Sequence, residues 1–163
     1  MRIYLPTTLP ALRQAVAARA VGDESTLACA VTPTLREWYA EGDLEELEYA
    51  ALTEAARASL RLLADDDGPP RRVVLAADVA DGAVSPAPAR GKAAVRLAGP
   101  VPLSQIVSAH VDDADAEGDV RAAVSALDAA ERGDPDARFA VDAVEDHELL
   151  WYAAQEIPSL SRL

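Results

Sequence analysis

The segment from Leu44 to about Ala64 constrains this chain more than any other. Leu44, Leu47, Ala51, Leu52, Ala55, Ala56, Ser59, Leu60 and Leu63 recur at the helical period and give a broad apolar face. Glu54, Arg57 and Arg61 fall on the other side, charged but only partly paired. Gly42-Asp43 breaks the chain just before it, and Asp43 followed by Glu46 reads as a capping box. Any fold for this sequence is therefore built with one long amphipathic helix.

The remaining elements are shorter. Arg2 to Leu5 reads as a first strand, ended by Pro6. Thr8 caps a helix over Leu9 to Val21, with Pro10 in its first turn and Gly22 as its stop. Leu27 to Val31 reads as a central strand covered on both faces. Thr32 or Thr34 caps a short helix bearing Leu35, Trp38 and Tyr39. Strands are expected at Arg72 to Val79, Ala93 to Leu97 and Ile106 to Val111, with a flexible Pro/Gly/Ala-rich loop around 81–91. A helix from Asp119 to about Arg132 is stopped by Gly133 and Pro135. Phe139 to Val141 then reads as a strand. A last helix runs through Leu149, Leu150, Ala153 and Ala154 and is closed by Pro158.

This order predicts an α/β (α+β) class, with a mixed sheet of five or six strands and helices packed on it. Its specific versions are a ferredoxin-like arrangement or a duplicated β-α-β unit. Duplication is suggested by an echo. Ala30-Val31 leads to Trp38-Tyr39-Ala40, and Ala140-Val141 leads to Trp151-Tyr152-Ala153. At 163 residues the chain suits a single globular domain, 1–163. Half the residues are hydrophobic, but there is one phenylalanine, so the core has to combine alanine with Leu and Val and leave few large cavities.

Charge narrows the partners. With 28 acidic and 15 basic side chains the formal net charge is -13, a field that repels nucleic-acid backbones and anionic membrane surfaces. The densest basic point, Pro70-Arg71-Arg72, lies beside Asp65-Asp66-Asp67 and largely cancels. No run reaches the length of a membrane span and no signal-peptide pattern opens the chain, so the expected setting is cytoplasmic. The single cysteine, Cys29, sits in an apolar run without a base beside it and reads as a buried, inert thiol.

Two groups of residues are candidates for function. Trp38-Tyr39 and Trp151-Tyr152 are adjacent aromatic pairs. Neighbours in a helix do not share a face, so one ring of each pair is expected in the core and the other near the surface. Tyr49 with Glu37, Glu41, Glu45 and Glu48 borders the first pair, and Gln155 with Glu156 the second. The binding set is thus Trp38, Tyr39, Tyr49, Trp151, Tyr152 and Gln155. The second group is His110 and Asp112, two apart at a strand end, together with His147. These are catalytic candidates for acid–base work, but their spacing matches no strong metal-ligand motif, and no metal or cofactor is expected. There is no phosphate-cradling glycine loop and no Gly-x-Ser-x-Gly elbow.

Several stretches taken together resemble a known family. They are Met1-Arg2-Ile3-Tyr4-Leu5-Pro6, Ala30-Val31-Thr32-Pro33 with Leu35-Arg36-Glu37-Trp38-Tyr39, Glu46-Leu47-Glu48-Tyr49-Ala50-Ala51, Ala109-His110-Val111-Asp112-Asp113 and Trp151-Tyr152-Ala153-Ala154-Gln155-Glu156. The chain resembles, over nearly its full length, an uncharacterised actinobacterial family of small proteins, a domain of unknown function. The resemblance implies a cytoplasmic protein of a high-GC bacterium and carries no activity, cofactor or catalytic residue. Three functions stay open. The leading one is a non-enzymatic protein-binding or regulatory module, which needs an exposed apolar patch near the aromatic pairs. The others are a small enzyme using His, Asp and Glu side chains at strand ends, and a structural homodimer.

Overall fold

A computed structural model describes residues 1–163. The chain runs β1 (Arg2–Thr7), α1 (Leu9–Ala18), β2 (Ala20–Val21), β3 (Leu27–Ala30), α2 (Pro33–Trp38) and α3 (Leu44–Leu63). It continues through β4 (Val73–Asp78), β5 (Val84–Pro86), β6 (Ala94–Leu97), β7 (Val101–Pro102) and β8 (Ile106–Val111). It ends with α4 (Glu117–Glu131), α5 (Pro135–Ala143), β9 (Leu150–Ala153) and α6 (Ile157–Leu160). The α+β class expected from the sequence is the one observed.

Seven strands form one sheet in the order β5-β6-β3-β1-β4-β8-β9, and β2 pairs with β7 in a separate ribbon. Every pair of hydrogen-bonded strands is antiparallel, so the expected mixed sheet is corrected to an antiparallel one. The reason lies in the crossovers. Arg19 closes α1 in the left-handed region, at φ 58, and turns the chain into β2. The chain then enters β3 beside β1 and running against it. β8 and β9 are likewise neighbours in antiparallel register, although α4 and α5 separate them in sequence. β3 and β4 run parallel to each other with β1 between them, a single split β-α-β unit. The second unit that a ferredoxin-like fold or a duplication requires is not formed.

Alternation along the strands sorts the core. One face carries Ile3 and Leu5, Val73 and Leu75, Ala109 and Val111, and is covered by Leu9 and Leu12 of α1 and by Ile157 and Leu160 of α6. The other face carries Tyr4, Cys29, Val74 and Ala76, under Leu35 of α2 and Leu47, Ala51 and Ala55 of α3. A third cluster joins Leu60 and Leu63 of α3 to Val120, Ala123 and Leu127 of α4 and Val141 of α5. Tyr4 is the only aromatic side chain among the buried residues, so the core is built of Leu, Val, Ile and Ala as composition requires. Burial pushes the Cys29 thiol well above its ordinary pKa, and the nearby Glu54 carboxylate adds to the effect.

Several local expectations are overturned, among them the reach of α1, which ends at Ala18 instead of Val21 and leaves Ala20–Val21 as β2. Phe139 to Val141 lies in α5, because Asp134 caps a new helix there, its Oδ1 accepting from the Asp136 and Ala137 N–H groups at 2.9 and 3.2 Å, with Pro135 in the first turn. Pro135 therefore starts one helix as well as following another, which Gly133 ends at φ 93. Leu150 to Ala153 is a strand instead of a helix, held by pairing with β8. With Ala140-Val141 helical and Trp151-Tyr152 extended, the internal echo has no structural counterpart. The 81–91 stretch contains β5, paired with β6, between two short 3-10 turns. No helix is long and apolar enough to cross a membrane.

The sheet end next to α4 is held by one buried ion pair. Arg72 donates from Nε and from its backbone N–H to Asp112 Oδ2, each at 2.8 Å, and from Nη2 to Asp112 Oδ1 at 2.8 Å. Nη2 also reaches the His147 carbonyl at 2.9 Å. Arg71 pairs with Glu117 at 3.1 Å, so both arginines of the basic point are taken up within the chain. Removing one member leaves the other charge buried and unpaired, which costs on the order of 3–5 kcal/mol. Asp112→Ala should lose about that much stability in urea unfolding, and Arg72→Met with Asp112→Leu should recover most of it. A loss below about 1 kcal/mol for the single variant would contradict the assignment.

Candidate functional site

The turn from α2 into α3 is the most chemically distinctive surface. Thr32 caps α2, its Oγ1 accepting from the Leu35 N–H at 3.1 Å. Pro33 suits the first turn, and Leu35 anchors the helix in the core. The helix then ends at Tyr39, whose N–H reaches the Leu35 carbonyl, and Gly42 N–H closes the turn on Tyr39 O at 2.9 Å. Asp43 restarts the chain as α3, its Oδ1 accepting from Glu46 N–H at 2.9 Å. Two short capped starts in quick succession leave little room for burial.

The result is an exposed aromatic corner. Trp38 is 65% exposed and Tyr49 63%, with Tyr39 and Leu44 exposed beside them in sequence. Both members of the first aromatic pair face outward, against the expectation that one enters the core. The reason is that Leu35 alone seats this six-residue helix. Leu44 falls on the apolar face of α3 by its period, but it is the first residue of the helix and half its surface stays open. Between residues 36 and 49 there are six carboxylates and one arginine, so the rings are set in negative charge.

Lys92 sits over the Trp38 ring, its Nζ 3.6 Å from the centroid. It is the chain's only lysine. No sequence signal points to this contact. It follows from strand pairing, because Cys29 stands opposite Ala94, the Ala30 N–H reaches the Ala93 carbonyl at 2.8 Å, and the Thr32 hydroxyl donates to the Lys92 carbonyl. At the inner edge of the corner the Tyr4 hydroxyl donates to Glu48 at 3.2 Å. Burial, and then the Glu48 carboxylate, push the Tyr4 phenol up to about 12.

The second aromatic pair lies elsewhere. Trp151 and Tyr152 are on β9, at the opposite edge of the sheet from β5 and β6. Five strand steps separate β6 from β9, about 24 Å at the usual spacing. Tyr152 packs on the core and Trp151 is 63% exposed, the alternation of a strand. Gln155 follows in an exposed 3-10 turn. The six binding candidates therefore form two separate groups.

The His and Asp candidates are each engaged differently. His110 Nε2 lies 3.1 Å from Ser108 Oγ, on the α3 side of the sheet, opposite Trp151 in the neighbouring strand. Asp112 is fully committed to Arg72. His147 Nε2 meets Asp119 Oδ2 at 2.7 Å, on α4. No hydrogen bond joins any two of these three side chains. Sequence adjacency put His110 and Asp112 together, but Asp112 lies beyond the end of β8 and turns to the Arg72 backbone.

Burial, and secondarily the Arg2 charge, hold the His110 pKa below its ordinary 6.5. The unfolded chain therefore takes up this proton first as pH falls. The stability tied to neutral His110 is present above about pH 6.5 and is lost as pH drops through the depressed folded value. Urea unfolding at about pH 7 and about pH 5.5 should show a smaller loss for His110→Gln than for the parent. Equal losses would contradict the burial argument.

No curated protein and no solved structure matches this chain. One family does, over residues 1–161, and it is described as a family of unknown function. On that coverage the protein belongs to the family DUF6912.

Proposed function

We propose that this protein is a non-enzymatic protein-binding module whose α2–α3 corner docks a basic segment of a partner. The observation that carries the reading is where the aromatic side chains sit. Of seven, five are exposed: Trp38, Tyr39, Tyr49, Phe139 and Trp151. Each such ring has some 150–250 Å² to bury, and folding leaves more than half of it open in all but Tyr39. Aromatic rings ringed by charge are typical of interface anchors. The partner's chemistry follows from the surroundings. Glu37, Glu41, Glu45 and Glu48 favour Lys and Arg, and Trp38 already holds one ammonium group on its ring.

The enzyme reading draws less support, since Asp112 is locked in an ion pair and the two histidines serve different neighbours. A homodimer is favoured by one observation, the open outer side of edge strand β9 with exposed Leu150 and Trp151. The reading takes residues 1–163 as one folded unit. On the resemblance of its motifs we place the protein in the cytoplasm of an actinobacterium.

Titration with a synthetic peptide alternating Lys or Arg with Leu should quench or shift Trp38 fluorescence, with affinity falling as salt rises. By isothermal titration, Trp38→Ala and Tyr49→Ala should each weaken binding about tenfold, while Trp151→Lys should leave it unchanged. An acidic peptide binding equally well, or variants without effect, would overturn the proposal. Sedimentation velocity on the parent and on Trp151→Lys decides the dimer. A dimer lost in the variant supports the β9 interface, and a monomer throughout removes it.

A further inference from the structure

Beyond the sheet end where β1 stops at Thr7 and β3 begins at Leu27, the molecule opens into a cleft of about 1350 Å³. One wall is α1, and the other is the C-terminal half of α3 with α4 and α5. The cleft exists because the facing helices present small side chains: Ala11, Ala15 and Ala18 from α1, and Ala58 from α3. Leu62, which is exposed, and the half-buried Leu27 add apolar surface to its lining, with Val21, Leu127 and Val141 buried behind them. This opening lies in a fold whose composition predicts few large cavities.

Four arginines and three carboxylates line the cleft, and two further carboxylates, Asp128 and Glu145, stand on the arginines from outside the lining. Two of the arginines are fixed by the protein. Arg57 meets Asp142 at 2.7 Å and Glu145 at 2.6 Å, and Arg61 is held by Asp128 and Glu131. The other two, Arg90 from the β5–β6 connection and Arg138 from α5, have no carboxylate partner. Arg138 donates only from Nε, to the Ala130 carbonyl at 3.3 Å, and its terminal nitrogens stay unused. A guanidinium with open donors takes an oxyanion in bidentate fashion.

We infer that this cleft binds a small organic anion, an apolar body bearing a carboxylate or phosphate head, with Arg90 or Arg138 meeting the head. A cleft of this size holds such a molecule with room to spare. A small ion of one or two negative charges is also compatible with the acidic surface, whereas a polyanion such as nucleic acid meets the repulsion of the whole -13 field. The inference is independent of the α2–α3 corner.

Isothermal titration with octanoate, phenyl phosphate and neutral octanamide tests it. At least one anion should bind, octanamide should not, and which anion binds identifies the head group. Arg90→Ala with Arg138→Ala, both exposed positions, should weaken the anion at least about tenfold without changing the melting temperature. Ala18→Trp, also exposed, should narrow the cleft and weaken binding. Trp38→Ala should leave it intact. The inference is overturned if neither anion binds at millimolar concentration, if octanamide binds equally, or if the double arginine variant is unchanged.

Discussion

Ser59 stands where the long helix passes from the sheet to the α4–α5 layer. It is fully buried, and its hydroxyl does two jobs at once. It donates to the Thr7 carbonyl at 2.7 Å and accepts the Val73 N–H at 3.0 Å. Thr7 and Val73 are paired across β1 and β4, so one side chain ties α3 to the central strands at their common end. Twenty residues give α3 a length of about 30 Å. Its first half lies on the sheet through Leu47, Ala51 and Ala55, and its second half packs on α4 and α5 through Leu60 and Leu63. The alanines let the helix approach closely, and the larger leucines fill the third cluster. Both surfaces singled out above, the aromatic corner and the arginine-lined cleft, are built partly from this helix.

The distribution of side chains follows from the same economy. A core of Leu, Val, Ile and Ala on an antiparallel sheet needs no large rings, and Tyr4 is the one ring it takes. Tyr152 packs on its edge, and the other five aromatics are free to serve the surface. The opposite holds for charge. Arg72 and Asp112 are buried and satisfy each other, while most other ions sit outside, where pairs such as Arg2 with Asp78 contribute little. At the cleft, Asp128 and Glu131 of α4 hold Arg61, Asp142 and Glu145 hold Arg57, and Arg90 and Arg138 have no carboxylate partner.

Much of the fold could be read from residue order. The period of α3, the Thr8, Thr32 and Asp43 caps and the strands at β1, β3, β4, β6 and β8 follow from local rules, and the structure keeps them. What could not be read depends on pairing between distant segments. Leu150 to Ala153 becomes a strand because β8 offers it an open edge, and nothing within those four residues decides it. Helix-spanning connections suggested parallel strands, yet the left-handed turn at Arg19 returns the chain antiparallel. The candidate site was half legible. Trp38, Tyr39 and Tyr49 with their acidic neighbours are contiguous in sequence and stay together. The Lys92 contact and the cleft are assembled across the sheet and leave no local trace.

If α3 couples the sheet to the α4–α5 layer, its whole length opens only when the protein unfolds. Native-state hydrogen exchange reads this directly, residue by residue. Amides near Ala51 and Ala55, those near Leu60 and Leu63, and those of β1 and β4 should share one opening free energy, equal to that of global unfolding. Exchange of the Leu60–Leu63 amides together with α4 and α5 through a distinctly smaller opening would contradict it, and would show two layers that fold and unfold separately.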